Sequence, residues 1–158
     1  MRNNKIILLV LCIMLPLLYA CHSEDGVIMH QYQSMPDDGW DSQNKVTFTI
    51  DSIETTGIHR LTAAIRTTSD IYFQKIYLVV DQQLENPTAH FKDTVIISLT
   101  DKMGNIKGDG LNLYNFETNL PKPFKFYKGQ RGTITLYHIM RRNQLFAVKD
   151  VGIKIKRQ

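Results

Sequence analysis

Only one position in the chain has a sequence context that specifies a reaction. Leu18-Tyr19-Ala20-Cys21 places a small residue directly before a cysteine and a leucine two places before that. This is the pattern of a lipobox, in which the chain is cut before the cysteine and the cysteine carries the lipid. Tyr19 is bulkier than the usual residue at its position. The segment ahead of it has the matching build. Arg2 and Lys5 form a basic start, and Ile6 to Leu18 is an apolar run of 13 residues. A bilayer crossing needs about 20 such residues, so the run has signal-peptide length rather than spanning length. The alternatives are an ordinary signal peptide with an incidental cysteine, or an uncleaved anchor. The lipobox favours lipidation at Cys21 and a tether to a membrane.

The remaining chemistry-bearing residues fall into no reactive pattern. His22, His30, His59, His90 and His138 include no pair at the i, i+2 or i, i+4 spacing of a metal site. His138 shares the parity of Ile134, Leu136 and Met140, which puts an imidazole on an apolar face. Such a ring is either a ligand or base, or, more commonly, a core residue hydrogen-bonded to a carbonyl or a carboxylate. The serines lack the glycine-flanked elbow of a nucleophile. Asp93, Asp101, Asp109 and Asp150 form a catalytic carboxylate pair only if the fold brings two together. Asp101 and Asp109 sit in turns where calcium is conceivable, but the alternating oxygen ligands of an EF-hand are absent, and an aspartate in a turn more often binds its own backbone. Gly104, Gly108 and Gly110 lack the Lys-Ser or Lys-Thr of a phosphate loop. Both cysteines leave the account, Cys12 with the signal peptide and Cys21 with its lipid, so no disulfide or thiolate metal site is expected. The reading is of a protein that is not an enzyme, with no cofactor and no metal.

Charge excludes another class. Without Arg2 and Lys5 the chain keeps 17 basic and 15 acidic residues, and its net charge falls from +4 to +2. That balance argues against a nucleic-acid partner. Lys149, Lys154, Lys156 and Arg157 cluster near the C-terminus and read as a solvated strand face.

The elements that would position these residues are strands. Val46, Phe48 and Ile50 alternate with polar residues, as do Leu61, Ala63 and Ile65, with Ala64 facing outward. Ile76, Leu78 and Val80 follow, then Val95, Ile97 and Leu99, Leu111 and Leu113, Phe124 and Phe126, Ile134 and Leu136, and Val151, Ile153 and Ile155. Period two over short runs rich in Thr, Ile, Val, Phe and Tyr marks half-buried strands. Asp101-Lys102-Met103-Gly104-Asn105 reads as a hairpin loop with glycine at positive φ. The best helical candidate is a single turn within 142–149. The expected fold is all-β: an antiparallel, jelly-roll-like sandwich of about eight strands. Residues 1–20 form the signal peptide, 21–44 a lipidated arm, and 45–158 the sandwich. Trp40 is the single tryptophan and is expected to seal one end of the core. Arg66 and Arg141 end strands and are expected to pair with acids across the sheet.

In order along the chain these features resemble the gliding-motility lipoprotein GldH family of the Bacteroidetes. The resemblance starts at the lipobox and at Tyr32 to Trp40. It continues through Val46-Thr47-Phe48, Ile65-Arg66, Tyr72, Asp93-Thr94, Asp101 with Gly104, and Gly108-Asp109-Gly110. It ends with His138-Ile139-Met140-Arg141, Leu145 and Asp150-Val151-Gly152-Ile153. The resemblance implies a non-catalytic envelope lipoprotein, associated with the gliding machinery and the type IX secretion system linked to it. Its partners would be the membrane, through the lipid, and other envelope proteins of that machinery. Glu24 and Asp25 loosely resemble an acidic export signal, which leaves both the periplasmic leaflet and the cell surface open. A second reading from the residues is a surface carbohydrate-binding module. It would need Tyr72, Tyr77, Tyr114, Tyr127 and Tyr137 to converge on one face.

Overall fold

The computed structural model describes residues 26–158, and Cys21, with the signal segment before it, lies outside the described residues. The strands are β1 (Val27–Ser34), β2 (Trp40–Asp41), β3 (Val46–Ile50), β4 (Gly57–Thr67), β5 (Lys75–Glu85), β6 (Ala89–Ser98), β7 (Tyr114–Asn119), β8 (Phe124–Phe126), β9 (Arg131–His138), β10 (Gln144–Leu145) and β11 (Val148–Arg157). There is no helix among the described residues. One sheet runs β1-β11-β4-β7, with β8 also on β4, and the other runs β3-β9-β5-β6. β2 and β10 form a small ribbon at one end. Every pairing is antiparallel.

The two sheets form a sandwich because the alternation in sequence becomes an inner and an outer face. Val46, Phe48 and Ile50 are buried while Thr47 and Thr49 are exposed. Leu61, Ala63 and Ile65 meet Leu78, Val80, Ile134, Leu136, Val151, Ile153 and Ile155 in one core drawn from both sheets. Only the β5–β6 hairpin pairs consecutive strands. The other connections mostly cross between sheets, and this is the expected antiparallel sandwich rather than a closed barrel. β4 has 11 residues, about 36 Å of strand at 3.3 Å each, and sets the long dimension. Gly26, residues 51–57 and Arg157 lie at one end of it. Residues 68–74 and 139–149 lie at the other.

Several local expectations are corrected. Residues 27–34, expected within the arm, form β1, the outer strand of the first sheet, paired with β11. Only Met29 of β1 packs against the core, so the strand has no alternation to read. Leu111 and Leu113 are exposed and precede β7 rather than belonging to it; β7 instead buries Phe116. The turn expected in 142–149 is not helical and carries β10. Ala64 faces outward as expected yet is buried; its cross-strand partner is Gly152, against which the Tyr32 ring lies.

Candidate functional site

The residues with reactive side chains are mostly engaged with one another or with backbone. His138 is buried, with its ring edge-on to Trp40 at 5.0 Å. Its Nε2 lies 3.2 Å from the Trp40 carbonyl, and its Nδ1 accepts from the Met140 N–H at 3.4 Å. A carbonyl only accepts, so Nε2 carries the proton and the imidazole is neutral with both nitrogens engaged. Burial lowers its pKa, against the smaller opposing pull of its carbonyl contacts. His138 is thus the core histidine bonded to a carbonyl. Trp40 is fully buried and donates its Nε1–H to the Asn44 carbonyl at 2.7 Å. The pair anchors the β2–β10 ribbon to the end of β9.

Asp101 accepts from the Met103 N–H at 2.8 Å, the Asn105 N–H at 2.9 Å and the Asn105 side-chain amide at 2.8 Å. These bonds, the Asn105 side chain foremost, hold its carboxyl below the ordinary range. Gly104 sits at φ +89° in the same turn, as expected. The carboxylate therefore organises the loop. Among the described residues, no three His, Asp or Glu side chains stand close enough together to hold a metal ion.

The most organised polar cluster was not visible as a motif. Tyr32 of β1 lies across the outer face of the first sheet. A Cβ added at Gly152 would stand 2.5 Å from its Cδ1, so β11 needs a glycine there. The Tyr32 hydroxyl donates to the Asn115 side chain at 2.9 Å, and the Arg66 guanidinium stacks 3.8 Å above its ring. Arg66 also faces Asp150 at 4.0 Å, which in turn accepts from the Ser34 hydroxyl at 2.7 Å. Asn115 donates to Glu117, and Lys154 bridges Glu117 at 3.0 Å. Burial alone would raise Glu117, but the Lys154 and Asn115 hydrogen bonds bring it below its ordinary value. Arg66 and Asp150 thus pair across the sheet as expected of a strand-end arginine. The signal that could have found Tyr32 is its stacking partner and its glycine, both in the family-like segments Ile65-Arg66 and Asp150-Val151-Gly152.

The five tyrosines do not converge. Tyr72 is in a loop at the end carrying residues 68–74, and Tyr127 is in the β8–β9 turn at the opposite end. Tyr114 packs partly against the core. Only Tyr77 and Tyr137 share a face, the outer side of the second sheet, where the Lys45 ammonium sits 5.0 Å from the Tyr137 ring. Two other surfaces stand out. An open cleft of about 560 Å³ lies between the edge strands β1 and β3, lined by Met29, Ile50, Ile53, His59 and Arg157. At its floor His59 is buried, edge-on to Phe126 at 5.3 Å, with its pKa lowered by burial. The other is an apolar recess at the β10 end, walled by Ile71, Phe73 and Leu145, with Tyr72 and Phe146 on its rim, 75% and 53% exposed.

Two antiparallel sheets with no helix among the described residues define an all-β sandwich domain. The chain belongs to the GldH lipoprotein family, whose sequence profile matches residues 27–155. It is accordingly a gliding-motility-associated lipoprotein of the envelope, anchored at a membrane. The match begins with β1 and ends within β11, so it takes in both sheets. No curated protein matches the chain.

Proposed function

We propose that this protein is a non-catalytic accessory of the Bacteroidetes gliding machinery and its associated type IX secretion system, held by lipid on Cys21 and acting through contacts with other envelope proteins. The observation that carries this reading is the family match across both sheets. The geometry is consistent with it: His138, Asp101 and the Tyr32 cluster are engaged in holding the fold. Apolar side chains left at the surface are the usual material of protein interfaces. Tyr72 and Phe146 supply them at the end of the sandwich remote from Gly26, where the chain runs back toward Cys21. The glycan-binding reading has no converged aromatic face to support it.

The test is complementation of a deletion strain. A Phe146→Asp, Tyr72→Ala variant is expected to reach the membrane at normal level yet fail to restore gliding or secretion. Full restoration by that variant would remove this contact surface. Unchanged motility and secretion in the deletion strain itself would remove the accessory reading.

A further inference from the structure

The Arg157 N–H donates to the Gly26 carbonyl at 2.7 Å, so the chain leaves the fold beside the last residues of β11. Cys21 is five residues before Gly26. A chain of that length reaches at most about 18 Å. If the lipid is on Cys21, the reading on which this inference rests, the end of the sandwich around Gly26 is confined close to the headgroups.

That end has the side chains such a surface would select. On its outer face Lys156 stands directly opposite Arg60 in the β11–β4 register. Like charges directly opposed on a sheet work against the fold, and an external anion relieves that repulsion. Lys125 of β8 stands opposite Ile58, and Lys128 and Arg131 follow in the β8–β9 turn and the start of β9. With Arg157, these cations outnumber the acids Asp51, Glu54 and Glu85 of the same end and Glu117, which lines the adjoining recess paired with Lys154, although Glu24 and Asp25 of the tether offset part of the excess. A recess of about 520 Å³ runs among Arg60, Lys156 and Arg157, with the Lys154–Glu117 ion pair along it. Between the cations, Ile28, Ile58 and Tyr127 are 48%, 43% and 41% exposed. Basic residues mixed with exposed aliphatic and aromatic side chains suit the boundary between headgroups and acyl chains.

We infer that this end of the sandwich lies on the anionic headgroups of the membrane that holds the lipid. The domain is then held in one orientation, with the Tyr72–Phe146 end pointing away. Two weak attachments, a lipid and a basic surface, together fix what neither fixes alone.

The test uses the full lipidated protein, reconstituted on vesicles of phosphatidylcholine alone or with about one third phosphatidylglycerol. Lysine acetylation is followed residue by residue by mass spectrometry. Lys156 and Lys125 are expected to react at least about threefold more slowly on the anionic vesicles, and to recover at high salt. Lys102, in the loop at the opposite end, is expected to react equally on both. In an Arg60→Glu, Lys156→Glu variant, whose sites are on the surface, the difference at Lys125 is expected to vanish. Equal rates for Lys156 on the two vesicles would overturn the inference. A Cys21→Ala chain that stays with cell membranes after a high-salt wash would remove the lipid reading, while the Lys156 rates judge the basic surface by themselves.

Discussion

His138 and His59 link the interior to pH. Burial lowers both pKa values, so the folded state binds protons less readily than the unfolded chain, whose histidines titrate near 6.5. Between the depressed folded values and 6.5 the unfolded state holds more protons, and stability therefore rises with pH through that window. The thermal midpoint is expected to be flat above neutral pH and to fall as pH drops below about 6.5. A His138 ring that titrates at or above 6.5 by NMR would contradict this. Gln82 makes a second residue-scale prediction. It is fully buried among the inward residues of β5, and neither end of its amide has a hydrogen-bond partner among the described residues. Gln82→Met keeps the shape and removes the unpaired polar atoms, and is expected to raise stability by about 1–3 kcal/mol in urea unfolding. A loss of stability would mean that the amide is bonded in solution. His138 was legible in outline, because its parity with Ile134 and Leu136 placed it inside. Gln82 has the same parity with Ile76, Leu78, Val80 and Leu84, yet its polarity masks it in an apolar pattern.

At the scale of elements, alternation is a signal only where one face is dry. β3, β4, β5, β9 and β11 bury one face of their run and were readable. β1 could not be read, because an outer strand contributes a single core residue, Met29, and turns its other notable side chain, Tyr32, outward. Leu111 and Leu113 show the converse, an alternation with no core behind it. The Tyr32 cluster was hidden for a different reason. Its members sit on β1, β4, β7 and β11, and only the cross-strand register brings them together. That cluster fastens β1 to the sheet, so a side chain at Gly152 should lift it. Gly152→Val is expected to destabilise the protein by about 1–3 kcal/mol. Hydrogen exchange of β1 amides should rise more than that of β5. Equal effects on both strands would mean that Tyr32 is not what holds β1.

At the scale of the whole molecule, the two ends of the sandwich differ in chemistry. The end beside Gly26 combines cations with Ile28, Ile58 and Tyr127. The opposite end exposes Tyr72, Ile139 and Phe146 around an apolar recess. On the proposed reading, a tether at one pole and an apolar surface at the other would let the domain present itself to partners away from its membrane. Whether this lipoprotein works by binding other envelope proteins of the gliding machinery is decided by in-cell crosslinking. A photo-crosslinking residue is placed at position 72 in the functional lipidated protein, and the adducts are affinity-purified and read by mass spectrometry. Reproducible adducts with gliding or secretion-system components are expected from position 72, and few from the same residue placed at 77 on the outer face of the second sheet. Adducts with glycan-uptake proteins instead, or none from position 72 in actively gliding cells, would contradict it.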